Sequence, residues 1–212
     1  QVYSKRNKTN TVIPVIIGKT HTVEFAFGGL GTNPHWGTPR NPWDANQHRV
    51  PGGSSSGAGV SLWQGSALIA FGTDTGGSVR VPASMTGTVG LKTTKNRWST
   101  NLITRLSSSF DTPGILAKSV EDIAYGFASI DPETPDREAS VVRPKEIKNL
   151  KIGVTKDYFW DKCTNDIATE VDKFISNLSS MGATTVPIAM KEVYTSVKLW
   201  SEGSIVASEG YE

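Results

Sequence analysis

Apolar positions in this chain fall into short runs with two spacings. Val12-Ile13-Pro14-Val15-Ile16-Ile17, closed by Gly18, is a β-branched run of the kind that fills a buried strand. Ala67-Leu68-Ile69-Ala70-Phe71, ending at Gly72, reads as a second, and Leu150 to Val154 and Thr184 to Ile188 read as two more. Between 164 and 181 the spacing changes. Ile167, Val171, Phe174, Ile175, Leu178 and Met181 share one face of a helix, and Gly182 stands where that helix stops. Ser119-Val120-Glu121-Asp122 has the form of a capping box and opens a helix to about Ile130. A helix from about Ser56 to Gln64 is expected, and Val193, Val197 and Trp200 begin another stripe. Residues 29–57 break the pattern with Asn33-Pro34, Thr38-Pro39, Asn41-Pro42 and Pro51-Gly52-Gly53, turn signals throughout. A loop of this length in a compact domain usually carries function. Strands alternating with helices imply an α/β layered fold.

Composition narrows the function more than the fold. The 212 residues hold 22 Lys+Arg against 20 Asp+Glu, a net charge of +2, which gives no basic surface for nucleic acid. Lys5, Arg6 and Lys8 form a short terminal run of the solvated kind, and residues 1–11 are expected to be disordered or a cut end. The single Cys163 excludes a disulfide framework and a Cys-based zinc site, and suits a reducing, cytoplasmic setting. Pro14 interrupts the longest apolar run, which is too short to span a bilayer, so no membrane role is expected. No repeat or boundary is visible, and residues 1–212 read as one domain. The start at Gln1 and the end at Glu212, within a helical pattern, make that domain an incomplete one by expectation.

Two segments carry the candidate chemistry: Pro51-Gly52-Gly53-Ser54-Ser55-Ser56-Gly57 and Gly72-Thr73-Asp74-Thr75-Gly76-Gly77-Ser78-Val79-Arg80. Each places hydroxyls on backbone that needs freedom in φ. A helix and a strand lie between them, so both loops can return to one edge of a sheet. In the second, Ser78 follows two glycines, and the amides from Thr75 through Ser78 can point inward as a nest for an oxyanion. Asp74 and Arg80 bracket that loop with opposite charges and can brace it. An ordinary Gly-rich turn is the competing reading. Gly53-Ser54-Ser55-Ser56-Gly57 also matches the G-x-S-x-G nucleophile elbow, but that fold needs a later histidine, and His21, His35 and His48 all precede it. His48 as a base in some other arrangement is a weaker option. Neither the Walker nor the Rossmann glycine pattern occurs, and no H-E-x-x-H, so no nucleotide, cofactor or metal site is expected.

Several blocks together resemble the amidase signature family. Gly18-Lys19-Thr20 with Glu24-Phe25-Ala26, Arg40-Asn41-Pro42-Trp43-Asp44 and the Pro51–Gly57 segment match its blocks in order, and the segment from Gly72 to Pro82 is close to a literal match. Val89 to Thr93, Ser109 to Gly114, Ala117 to Asp122 and Leu150 to Val154 continue the series. Lys95-Asn96-Arg97-Trp98 departs from the commoner form and puts the local loop geometry in doubt.

The resemblance implies a mixed β-sheet flanked by helices and a Ser–Ser–Lys triad. The nucleophile maps onto Ser78 and the bridging serine, preceded by a cis peptide bond, onto Ser54, with its hydroxyl expected within reach of Ser78. Thr75, Gly76 and Gly77 map onto the oxyanion hole, and Thr73, Asp74, Arg80 and Ser55 onto supporting positions. The family's lysine is expected before residue 1. Lys19 stands one position too far from Pro14, belongs to the G-K-T block and is read as a decoy. The implied function is hydrolysis of a carboxylic amide or ester without a cofactor. Its partners are a small-molecule amide and, as an option, further copies of the chain. A component of a tRNA-dependent amidotransferase is the nearest alternative, but Val81 follows Arg80 where that subfamily commonly has glutamine. An inactive amidase-like remnant is the other.

Overall fold

The computed structural model describes residues 5–6, 12–13, 15–134 and 146–211. Chain contacts divide into two compact units, residues 1–143 with 206–212, and residues 144–205.

The first unit is built on a three-stranded antiparallel sheet. Strand β3 (Ile69–Asp74) and strand β4 (Val89–Lys92) both pair with β5 (Thr112–Ala117), which lies between them. Successive β5 side chains point to opposite faces. Ile115 and Ala117 join Trp98 and Ile123 on one face, where helix α3 (Val120–Ile130) covers them. Leu116 joins Ala58, Leu62, Ala70, Val79 and Ala83 on the other, where helices α1 (Ser56–Trp63) and α2 (Arg80–Thr86) lie. The fold is α/β, with a sheet flanked by helices, as the alternation of elements implied.

Local chemistry explains most boundaries. Ser119 caps α3 by accepting the Asp122 amide at 3.0 Å and returns its hydroxyl to the Asp122 carboxylate at 2.7 Å. Residues 27–55 form no regular element; buried asparagines hold them instead. Asn33 Oδ1 accepts the His35 and Trp36 amides, and Asn41 donates to Val50 O and Met85 O. Trp43 and Trp63 meet edge to face at 5.1 Å, and both indoles donate to the Thr86 carbonyl.

Some expectations are corrected. The run Val12–Ile17 is not a buried strand: Val12–Ile13 (β2) pairs only with Lys5–Arg6 (β1), and Val15, Ile16 and Ile17 are exposed, Ile16 at 91%. No neighbouring strand among the described residues reaches them. The strand expected to end at Gly72 continues to Asp74, because Gly72, Thr73 and Asp74 go on pairing with Gly114, Pro113 and Thr112 of β5; a Cβ at Gly72 would stand 2.4 Å from Ser55 Oγ. Trp98, in the departing segment, fills the core and donates its indole N–H to Asp131. The expectation of a disordered or cut end at residues 1–11 lies outside the described residues, β1 apart.

The second unit is a parallel β–α–β element: β6 (Lys151–Val154), α4 (Asn165–Ser180) and β7 (Thr184–Pro187), followed by α5 (Glu192–Ser201). Gly182 at φ +98° ends α4, as its position predicted. The predicted apolar face splits. Val171, Ile175 and Leu178 are half-buried, whereas Ile167, Phe174 and Met181 are exposed, since two strands are narrower than the stripe. Helix α6 (Ile205–Tyr211) follows, and its Val206 is buried in the first unit.

Candidate active site

Residues 51–60 are all buried although most of them are glycine or serine. Their backbone groups find partners that make this possible. Gly53 N donates to Gly29 O at 2.8 Å, Ser54 O accepts the Val23 amide at 3.0 Å, and Gly57 N donates to His21 O at 2.7 Å. Gly53 has no room for a side chain, because a Cβ would lie 2.6 Å from Gly28 O. The Gly53–Ser54 peptide bond is cis. Ser54 is 1% exposed and leads directly into α1.

The second segment runs off the end of β3 and turns into α2. Asp74, with no exposed surface, organises it from inside. Its Oδ1 accepts Gly77 N at 2.8 Å, and its Oδ2 accepts Val79 N at 3.1 Å and Arg80 N at 3.2 Å. The Arg80 guanidinium forks onto both oxygens, at 3.0 and 2.8 Å. Burial pushes the Asp74 carboxyl upward; Arg80 and the amides of Val79 and Arg80 outweigh it and hold the group below the usual aspartate range. Gly77 stands at φ +127°, a conformation that glycine supplies.

The two segments meet through Ser55. Its amide donates to Ser78 O at 3.1 Å, and its hydroxyl lies 3.3 Å from both Thr73 O and Thr73 N. Thr73 thus holds Ser55 through its backbone. Ser78 is half-buried and Gly76 exposed, so the loop tip is open to a ligand. No hydrogen bond joins the Ser54 and Ser78 hydroxyls; the backbone makes the connection. Of the amides expected to face an oxyanion, that of Gly77 is turned to Asp74, while those of Gly76 and Ser78 have no partner among the described residues.

The remaining candidates separate clearly. Lys19 is exposed and bonds neither serine, and His48 is exposed. The histidine that reaches the first segment is His21, whose Nδ1 lies 3.0 Å from Ser56 Oγ. Sequence reasoning missed it, since nothing local links positions so far apart. It also missed Asp111 and Glu209. Asp111 accepts the Thr75 hydroxyl at 2.5 Å. Glu209 on α6 accepts the Ser107 hydroxyl, and the amide and hydroxyl of Ser109, and these bonds lower its pKa to about 2. A cavity of about 560 Å³, lined by Val23, Phe25, Phe27, Leu106, Val206 and Tyr211 among others, lies in the same unit and includes none of the site serines. Among the described residues no helix is long and apolar enough to cross a membrane.

A protein-family model described as Amidase matches residues 14–211. The chain belongs to the amidase family. It is 53% identical over 195 residues to 2-amino-5-chloromuconic acid deaminase of Comamonas testosteroni, covering 92% of this chain and 42% of that protein. It is 38% identical over 197 residues to a glutamyl-tRNA(Gln) amidotransferase component of Pediococcus pentosaceus, covering 88% of this chain and 39% of that one. Among solved structures, the corresponding glutamyl-tRNA(Gln) amidotransferase component of Thermotoga maritima superposes with a TM-score of 0.78 at 28% identity, covering 93% of this chain and 44% of the other. The chain therefore spans about two-fifths of the length of the amidase relatives it matches.

Proposed function

We propose that this chain carries the nucleophile side of an amidohydrolase, with Ser78 as nucleophile and Ser54 as proton relay. The observation that carries the reading is the buried Gly53–Ser54 segment tied through Ser55 to the Ser78 loop, in a chain of the amidase family. Ser78 Oγ attacks the amide carbonyl carbon. Its proton passes through Ser54 to a neutral lysine and returns by the same path to the leaving nitrogen as the C–N bond breaks. Water then hydrolyses the acyl-serine. The developing oxyanion is received by the amides of Thr75, Gly76 and Ser78, while Asp74 keeps that of Gly77 for the loop. A free lysine has a pKa of about 10.4, so the base must be desolvated to act. We do not assign that role to Lys19. A cytoplasmic setting belongs to the same proposal and rests on the lone Cys163.

The 53% identity to a protein named for deamination of an amino-substituted muconic acid favours a second reading, in which ammonia leaves an unsaturated amino acid. Ammonia transfer to a partner is not our reading, because Val81 follows Arg80.

The test uses the intact protein. Ammonia release is assayed from simple aliphatic and aromatic amides and from a 2-aminomuconic acid, and a fluorophosphonate labels the nucleophile. Ser78→Ala should lower turnover by about 10⁴ or more and abolish labelling. Label on Ser55 would overturn the assignment. Release from the amino acid with none from amides would select the second reading.

A further inference from the structure

Sheet register sets against the nucleophile loop one carboxylate, Asp111, to which its family block attached no role. Asp74 pairs with Thr112, so Thr75 and Asp111 face each other just beyond the ends of β3 and β5. Asp111 is 5% exposed. Its Oδ1 accepts the Thr75 hydroxyl at 2.5 Å and its Oδ2 accepts the Leu106 amide at 2.8 Å. Its own amide donates to Ser107 O at 2.8 Å, and its carbonyl accepts the Lys95 ammonium at 2.8 Å. Four separate bonds thus fix this residue in place.

Its grip matters because of where Thr75 stands. Asp74 anchors the later half of the loop, through Gly77, Val79 and Arg80. Gly76 has no side chain with which to be held. Among the described residues the Thr75 side chain alone anchors the first half, and a β-branched residue has few rotamers through which to yield. Holding its hydroxyl therefore fixes the Thr75 Cα, the point from which the Thr75–Gly76 peptide and the Gly76 N–H extend.

We propose that Asp111 is a positioning residue of the nucleophile loop: through the Thr75 hydroxyl it aims the Thr75 and Gly76 amides at the substrate oxyanion. The proposal rests on the reading of Ser78 as nucleophile. It gives a carboxylate far away in sequence a share in the rate without contact with the substrate.

The probe is a fluorophosphonate, whose phosphoryl oxygen takes the place of the oxyanion, and the readout is its rate of reaction with Ser78 in the intact protein. Asp111→Asn and Thr75→Val should each slow labelling by about 10- to 100-fold, the scale of a misdirected donor. Thr75→Ser, which keeps the hydroxyl, should recover most of the loss. The double variant Asp111→Asn/Thr75→Val should be no slower than the slower single variant, because both remove one bond. Labelling of Thr75→Val at the unmodified rate, or a double variant slowed by the product of the two effects, would overturn the proposal. If Asp111→Asn fails to fold, the Thr75→Val and Thr75→Ser pair decides. Ser78→Ala separates the two claims: persistent labelling there defeats the nucleophile reading and this role with it, whereas silence there with full-rate Thr75→Val defeats the positioning role alone.

Discussion

Asp74 and Asp131 are both buried, each holds an arginine, and they hold different things. Asp74 receives three backbone amides besides Arg80, so its charge shapes a loop. Among the described residues Asp131, just past the end of α3, receives side chains: Arg97 on both oxygens at 2.7 and 2.6 Å, the Trp98 indole at 3.0 Å and the Thr134 hydroxyl at 2.7 Å. Arg97 does most to hold the Asp131 carboxyl well below the usual range, against the opposing effect of burial. The same ion pair thus serves two ends. Where the remaining donors are amides, it fixes the course of the chain beside Ser78. Where they are side chains, it pins a helix end to a core tryptophan.

Removing each charge should separate these ends. Asp74→Asn is expected to slow fluorophosphonate labelling of Ser78 by about 100-fold or more, since several loop amides lose their anchor together. Asp131→Asn should instead lower the melting temperature, on the order of 5–10 °C, and leave the labelling rate of the folded protein unchanged. Equal slowing of Ser78 by both would erase the distinction.

Acid sharpens the contrast. Both aspartates have depressed pKa values in the folded state, so their stabilisation is complete above the usual aspartate pKa and is lost as pH falls through the folded value. Glu209 follows the same sign, with loss running from the usual glutamate range down to about 2. Melting curves recorded between about pH 5 and pH 2 should show that Glu209→Gln removes part of the acid destabilisation. A curve parallel to that of the unmodified protein would show that the contacts of α6 with Ser107 and Ser109 contribute nothing. The smallest effect is expected of Lys19→Ala, which should leave turnover within experimental error; a large loss would make this exposed lysine the base after all.

Legibility in the sequence followed the range of the interactions. α3, α4 and Gly182 were readable because a capping box, a periodic stripe and a stop are local signals. β5, the central strand, was not: Thr112-Pro113-Gly114-Ile115-Leu116-Ala117 carries proline and glycine where a strand pattern should alternate, and only its two neighbours make it a strand. Ser54, Ser78, Asp74 and Arg80 stood out because their blocks are dense in small residues and charge. Asp111, inside a quoted block, showed no role, because its contact with Thr75 arises from the β3–β5 register. The Val12–Ile17 run misled for the converse reason: hydrophobicity without a pairing partner does not make a strand.

The Trp43–Trp63 pair has an optical consequence. Two indoles 5.1 Å apart, with planes inclined at 71°, are coupled chromophores and should give a bisignate circular dichroism band without any attached label. Their shared acceptor, Thr86 O, closes the helix that begins just after Ser78. Fraying of that helix would uncouple the rings and flatten the band, so the protein's own circular dichroism can follow in real time how firmly the helix after Ser78 is seated.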